Sequence, residues 1–310
     1  MNSLERYQPV IILLAVCIGL LIGGIDAIGS MADHFIAPFL MLMLYGLFLL
    51  MPLKRVFTSF RKVKFVVTSL VINFIWTPII AYLIGMLFLS DHPLLWIGFI
   101  MLTVTPCTDW YLVFTGIAKG DTVLSTSMLP MNLILQLILL PVYLHLFFGL
   151  EQSMGLPVHT IIESILTIIG IPLLLAILTR RLFGSGGRMK RFFEQANVLF
   201  LGVAIAAMFA SERTSLIENL DIVLLLLLPL LVFFTINFIG GSAASRLLSF
   251  SKQESVSLII MTLARNSPLA LAIAIAAFPD EPLIALSLVI GPIIELPVLG
   301  LVSRILNSYK

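Results

Sequence analysis

Apolar runs of about twenty residues follow one another along almost the whole chain, and each is long enough to cross the hydrocarbon core of a bilayer as a helix. A soluble domain could not hide them: of 310 residues, 60% are hydrophobic and 11% charged, and the mean hydropathy is +1.14. In lipid every backbone N–H and C=O must find a partner, so such runs form helices. Ten spans are expected, at roughly 9–25, 35–52, 65–89, 93–117, 122–148, 160–179, 195–211, 221–247, 255–278 and 282–306. The first run resembles a signal-peptide core, but it lacks a small-residue cleavage site before Asp26 and reads as a retained span. The net charge of +2 gives no sign of nucleic-acid binding.

Charge sets the topology. With ten spans and an inner N-terminus, the inner loops and tails hold 16 of the 18 Lys and Arg residues, among them Arg61, Lys62, Lys119, Arg180, Arg246 and Lys252. The outer loops are acidic, with Asp26, Asp91, Glu151, Glu212 and Asp280 among their residues. This asymmetry predicts both termini in the cytoplasm. The compact, tail-poor chain fits a bacterial-type plasma (inner) membrane.

The sequence also repeats itself weakly. Ile72-Asn73-Phe74 recurs as Ile236-Asn237-Phe238, and Ile100-Met101 as Ile260-Met261. Asp121 matches Asp280, and Gln136 matches Glu295, at one common offset of 159 residues. Two halves follow, 1–150 with spans 1–5 and 151–310 with spans 6–10, joined through the Gly-rich basic stretch Gly184–Arg191. Five spans per half force the second half to insert upside down. That inverted repeat is a basis of alternating access in secondary transporters.

Few polar groups remain inside the spans. Arg265 lies in the otherwise uncharged run Leu258–Phe278. A guanidinium at membrane depth costs at least about 2.5–3.5 kcal/mol, so it is expected to have a partner or a task. Pro268 follows it, and Pro106 holds the corresponding place in span 4, within Thr105-Pro106-Cys107-Thr108-Asp109. Both prolines remove a backbone N–H, which predicts that helices 4 and 9 are broken and cross at mid-membrane. Thr105, Thr108, Asn266 and Ser267 add short hydrogen-bonding side chains. Asp109 and Arg265 are expected to pair across the crossing, as coupling or gating groups or as a static bridge. Glu295, flanked by Pro292 and Pro297, is a candidate proton carrier or cation ligand, or a protonated group bonded to a neighbouring helix. Gln136, Asn73 and Asn237 read first as interhelical hydrogen-bonders and second as site residues.

Cys17 and Cys107 provide neither a disulfide framework nor metal-ligand spacing. Taken alone, Cys107 reads as a small hydrophobe. The four histidines fall near span ends, and no metal site or cofactor is expected. The chain has no His-Glu-x-x-His, no paired catalytic aspartates on separate spans and no Ser/His dyad at membrane depth, which speaks against an intramembrane enzyme. The loops hold no output domain, which speaks against a sensor, and no obligatory protein partner is expected.

Thr105-Pro106-Cys107-Thr108, Ala118-Lys119-Gly120-Asp121, Arg265-Asn266-Ser267-Pro268-Leu269-Ala270 and Gly291-Pro292-Ile293-Ile294-Glu295-Leu296-Pro297 resemble the bile acid:sodium symporter superfamily, within it most the arsenical-resistance-3 type of arsenite efflux permease. The resemblance covers nearly the whole chain. It implies that Cys107 is a thiolate ligand for As(III). It also exposes departures. The Ser-Asn pair of sodium-coupled members falls on Tyr111 and Leu112, and their span-9 Glu and Gln fall on Met261 and Arg265. The span-9 Glu of the arsenite branch falls on Pro268. A sodium site of oxygen ligands is therefore not expected, and Arg265 stands where it could supply the missing positive charge.

The resulting expectation is a sodium-independent, proton-coupled carrier that exports arsenite or antimonite. Cys107, Thr105, Thr108, Asn266 and Ser267 would contact substrate, and Asp109, Arg265 and Glu295 would couple or gate. The alternative is a sodium-independent carrier of a small organic anion, a carboxylate or a bile-acid-like molecule, held by Arg265.

Overall fold

The computed structural model describes residues 3–50, 62–108, 110–149, 158–183, 187–218, 220–278 and 281–308. Among them every regular element is helical. α1 is Ser3–Ile22, α2 Asp26–Leu50 and α3 Val63–Phe88. Span 4 is two helices, α4 Pro93–Thr103 and α5 Tyr111–Ile117, and α6 is Thr122–Phe148. α7 joins Val158–Ile165 and Ile171–Phe183 through the π-turn Leu166–Gly170. α8 is Gly187–Ser211, α9 the short Arg213–Glu218 and α10 Leu220–Leu247. Span 9 is again two helices, α11 Lys252–Leu263 and α12 Ser267–Ala277, followed by α13 Pro282–Ser308.

Seven helices are long and apolar enough to cross a membrane: Met31–Leu50, Val63–Phe88, Thr122–Phe148, Ile162–Phe183, Arg191–Ser211, Leu220–Leu247 and Pro282–Ser308. Val10–Ile22, Pro93–Thr103 and Ser267–Ala277 are apolar but shorter. The ten expected spans thus include two that no single helix fills, because spans 4 and 9 are cut in two. The expected linker Gly184–Arg191 differs as well. Residues 184–186 lie outside the described set, and from Gly187 onward the stretch is the first turn of α8. Met189, Lys190 and Arg191 are good helix formers, and their propensity extends the helix back beyond its apolar part.

Proline alone does not decide where a helix ends. Pro38 lies inside α2, Pro130 and Pro141 inside α6, Pro229 inside α10, and Pro292 and Pro297 inside α13. Neighbouring helices and small polar side chains can satisfy the carbonyls that a membrane proline frees.

The chain divides into two compact units, and each draws on both halves of the sequence. One holds residues 1–51, 159–221 and 271–282; the other holds 52–158, 222–270 and 283–310. In the first unit α1, α2 and α8 pack together. Gly19 of α1 and Gly23, just past its end, face the backbone of Ala206 and Ala210 of α8, so closely that a Cβ on either glycine would meet a carbonyl oxygen. Small residues four apart allow this approach, a usual source of helix association in lipid.

The second unit contains the broken helices. Its connector after α5 explains the Ala118-Lys119-Gly120-Asp121 motif. Lys119 takes the left-handed conformation (φ 60°), and Lys119 and Gly120 donate backbone N–H groups to the Gly116 and Thr115 carbonyls, closing the end of α5. Gly120 packs against Thr115, Val256 and Ser257, where a Cβ has no room. Asp121 then caps α6 by accepting from the Leu124 N–H at 2.9 Å. Lys62 joins Asp121 (3.3 Å) and Glu254 (2.9 Å), tying the starts of α3, α6 and α11 together. The Lys62 ammonium is raised above its ordinary value, chiefly by its hydrogen bond to Glu254, and the Glu254 carboxyl is lowered, chiefly by its bond to Lys62.

Candidate functional site

The two breaks lie side by side. Pro106 and Arg265 form an isolated antiparallel β-bridge. The Cys107 N–H donates to the Ala264 carbonyl at 3.0 Å, and the Asn266 N–H to the Thr105 carbonyl at 2.8 Å. The irregular backbone of each span thereby satisfies part of the other, the condition under which non-helical chain survives away from water. Pro106 lies within its break, whereas Pro268 sits just past the other, in the first turn of α12, where its missing N–H has no helical partner to lose.

Arg265 is fully buried and reaches both half-helices that end here. Its Nη1 donates to the Thr103 carbonyl at the end of α4 (3.0 Å), and its Nε to the Leu263 carbonyl at the end of α11 (3.2 Å). Its Nη2 donates to the Thr262 carbonyl and to Asn73 Oδ1 (3.1 Å). The guanidinium carbon stands 5.7 Å from the centroid of the Phe233 ring. A helix C-terminus carries roughly half a negative charge and unsatisfied carbonyls. One guanidinium therefore neutralises and caps two of them. Of its five N–H donors, four are spent on protein oxygens.

The surrounding residues complete the frame. Asn73 lies in the π-turn Ile72–Trp76 of α3, which aims its amide oxygen at Arg265 while its Nδ2 returns to the Ser69 carbonyl. π-turns inside α-helices often mark functional positions. Asn237, its counterpart by sequence, makes the same return bond to the Phe233 carbonyl and accepts from Thr77 Oγ1 at 3.1 Å, away from Arg265. Glu295 of α13 accepts through Oε1 from Trp110 Nε1 (2.7 Å) and from the Arg265 N–H (2.8 Å). It thus bolts α13 to both breaks, and its Oε2 has no hydrogen-bond partner among the described residues.

The Glu295 carboxylate and the Cys107 thiol both lie within electrostatic reach of the Arg265 guanidinium. Asn266 caps α12 by accepting from the Leu269 N–H (3.3 Å), and its Nδ2 donates to Thr108 Oγ1 (3.0 Å). Thr105 Oγ1 turns back onto the Met101 carbonyl at 2.8 Å. Ser267 is buried beside Gly291, and its hydroxyl has no partner among the described residues.

A family model described as the Sodium Bile acid symporter family matches residues 37–219. The chain belongs to that family. Members of the sodium bile acid symporter family are transporters, so this chain is a multi-pass membrane transporter and not an enzyme. Relatives named arsenical-resistance protein Acr3 come from Corynebacterium glutamicum, 27% identical over 98% of this chain and 89% of that protein, and Alkaliphilus metalliredigens, 22% identical over 99% and 93%. An uncharacterised transporter of Synechocystis is 23% identical over 96% and 87%.

Within this symporter-family chain, the expected site residues fall into two groups. Thr105, Cys107, Thr108, Arg265, Asn266 and Ser267 meet at the bridged breaks, and Glu295 and Asn73 touch them. Asn237 and Gln136 make no hydrogen bond to Arg265; Gln136 is buried in α6 with both amide atoms unpartnered among the described residues. Asp109 lies outside the described residues, and so does its expected pairing with Arg265. Four participants were not foreseen: Trp110, and the carbonyls of Thr103, Thr262 and Leu263. Trp110 carried one signal, a large residue placed directly after the Thr105–Asp109 segment. Backbone carbonyls leave no mark in sequence.

Proposed function

We propose that the protein is a secondary carrier that exports arsenite or antimonite by alternating access, without sodium and in exchange for protons. The observation that carries this reading is Cys107, a buried cysteine whose backbone N–H fixes it to the opposite break. As(III) is thiophilic, and a soft sulfur beside irregular polar backbone suits it. In this reading Ser267, with an unspent hydroxyl, and the Thr105–Thr108 and Asn266 backbone hold the hydroxyls of a neutral metalloid acid. Glu295 carries the exchanged proton on the oxygen that holds neither Trp110 nor Arg265, and Asp109 assists coupling.

Two further features support it. Tyr111, at a position where sodium-coupled relatives are expected to place a ligand, spends its hydroxyl on the Ser125 carbonyl at 2.7 Å. Arg265 spends four of its donors on helix ends and Asn73, so it has little left for a bidentate carboxylate; this disfavours the organic-anion alternative. The inverted repeat of 1–150 and 151–310, with ten spans and cytoplasmic termini in a plasma membrane, belongs to the same proposal. Lys62, Asp121 and Glu254, which that topology places on one side, are in contact.

The test is tracer transport of As(III) into inside-out vesicles at zero sodium, with and without a proton gradient. Proton-dependent accumulation that disappears in Cys107→Ser supports the proposal. Accumulation that survives in Cys107→Ser, or no As(III) movement by folded protein, contradicts it.

A further inference from the structure

A cavity of about 460 Å³ opens in the second unit where α10 gives way to α11. Its polar rim is Ser242, Ser245 and Arg246 from the end of α10 and Lys252 and Ser255 from the start of α11, and its walls are apolar. The arrangement is held by its turn. Ser249 takes the left-handed conformation (φ 50°), Lys64 donates to the Leu248 carbonyl, and its ammonium lies 5.6 Å from the Phe250 ring centroid. Ser251 and Glu254 form a capping box that fixes the first turn of α11.

One detail points to a ligand. Ser245 is only 3% exposed, lines this cavity, and its hydroxyl has no hydrogen-bond partner among the described residues. A buried unsatisfied hydroxyl costs about 1–3 kcal/mol, and a donor beside Arg246 and Lys252 suits an anionic oxygen. The way out of the cavity is apolar: Ile239 on its wall is 60% exposed, and Leu247 beside Arg246 is 84% exposed. Both lie on α10, a helix long and apolar enough to cross a membrane, where exposed apolar side chains suit contact with lipid chains.

We propose that this cavity holds the phosphate of an anionic membrane phospholipid, with Arg246 and Lys252 on the phosphate, Ser245 donating to it, and the acyl chains running over Ile239 and Leu247. Two cations with apolar walls between membrane helices are the makings of a headgroup site. Arg presents a planar fork to phosphate, while Lys contributes a point charge. The capping box keeps the Glu254 carboxylate on Ser251 and Lys62, so the nearby acid is already engaged.

The experiment is native mass spectrometry of the purified full chain in detergent, titrated with phosphatidylglycerol, phosphatidylcholine or inorganic phosphate. The expected result is retention of one phosphatidylglycerol in preference to phosphatidylcholine. Arg246→Gln with Lys252→Gln weakens that retention about thirtyfold, from roughly 1 kcal/mol per cation near an anionic headgroup. The control pair Arg181→Gln with Arg191→Gln, exposed and in the other unit, removes equal charge without this loss. Ser245→Ala separately weakens retention while leaving both charges in place.

Equal retention of the two lipids overturns the proposal, as does equal loss in the two double variants. Displacement of the lipid by millimolar inorganic phosphate would make the cavity a site for soluble anions and overturn the lipid assignment. Because Arg246 and Lys252 are exposed, a melting temperature unchanged in the double variant separates lost binding from lost folding.

Discussion

The two broken helices differ in how they solve the same problem, the unsatisfied carbonyls of an interrupted helix. The break between α4 and α5 is the longer, with residues 104–108 and 110 outside both helices, and it quiets part of its own backbone with a short side chain: Thr105 Oγ1 turns back onto the Met101 and Leu102 carbonyls. The break between α11 and α12 is short, residues 264–266, and relies on Arg265. That one side chain serves its own helix end and also the Thr103 carbonyl of the other. The wide break presents chemistry, with Cys107 at its middle, and the narrow break supplies charge. In the function proposed above, this fixed cation does for both helix termini what a bound cation would otherwise do, which is why no sodium dependence is expected.

The comparison breaks most sharply at Arg265. Arg265→Met strips donors from Thr103, Thr262, Leu263 and Asn73 at once. Loss of a buried charged partner costs about 3–5 kcal/mol, so a large drop in melting temperature and loss of transport are expected. Arg265→Lys keeps the charge but offers three donors from one nitrogen, and should recover part of the stability. Equal stability of Met and Lys variants would show that the charge has no capping role.

Glu295→Gln comes next. The amide oxygen can still accept from Trp110 and from the Arg265 N–H, so folding should survive. An amide cannot carry a proton, and vesicle transport should lose its response to a pH gradient, about tenfold or more. An unchanged gradient response would remove Glu295 from coupling. Asn266→Ala then removes the α12 cap and the bond to Thr108, at a cost of about 1 kcal/mol. If melting is unmoved, the narrow break does not need its cap.

The smallest effect lies far from the breaks. Lys62 is about half exposed, so its pairs with Asp121 and Glu254 contribute at most about 1 kcal/mol. The lowered Glu254 contributes stability above its ordinary value, lost as pH falls through the folded value. The raised Lys62 contributes stability below its ordinary value, lost as pH rises through the folded one. Lys62→Met should therefore lower the melting temperature slightly between about pH 5 and 10, with a difference that shrinks outside that window. A constant difference at every pH would assign Lys62 a packing role instead.

Sequence carried the two breaks further than it carried their contents. A lone Arg in an apolar run cannot be idle in lipid, and matching prolines located both interruptions to within a few residues. The partners of Arg265 were less legible. Its contacts are mostly backbone carbonyls, which every residue has, and Asn73 reaches it only because a π-turn rotates α3. Pro130, Pro141, Pro292 and Pro297 interrupt nothing, in keeping with the continuous spans expected at 122–148 and 282–306. Glu295 stood out as a buried acid, but that it joins Trp110 to Arg265 depends on how α13 packs, which no local pattern records.

The most direct measurement of the central claim needs no substrate. It is the thermal unfolding of the purified carrier in sodium chloride and in potassium chloride at equal ionic strength. A cation that binds only the folded state at a hundred times its Kd stabilises by about 2.7 kcal/mol. With Arg265 occupying that role, the two unfolding curves should coincide at every salt concentration. A rise in melting temperature specific to sodium would mean that a sodium site exists beside the guanidinium, and would contradict the account.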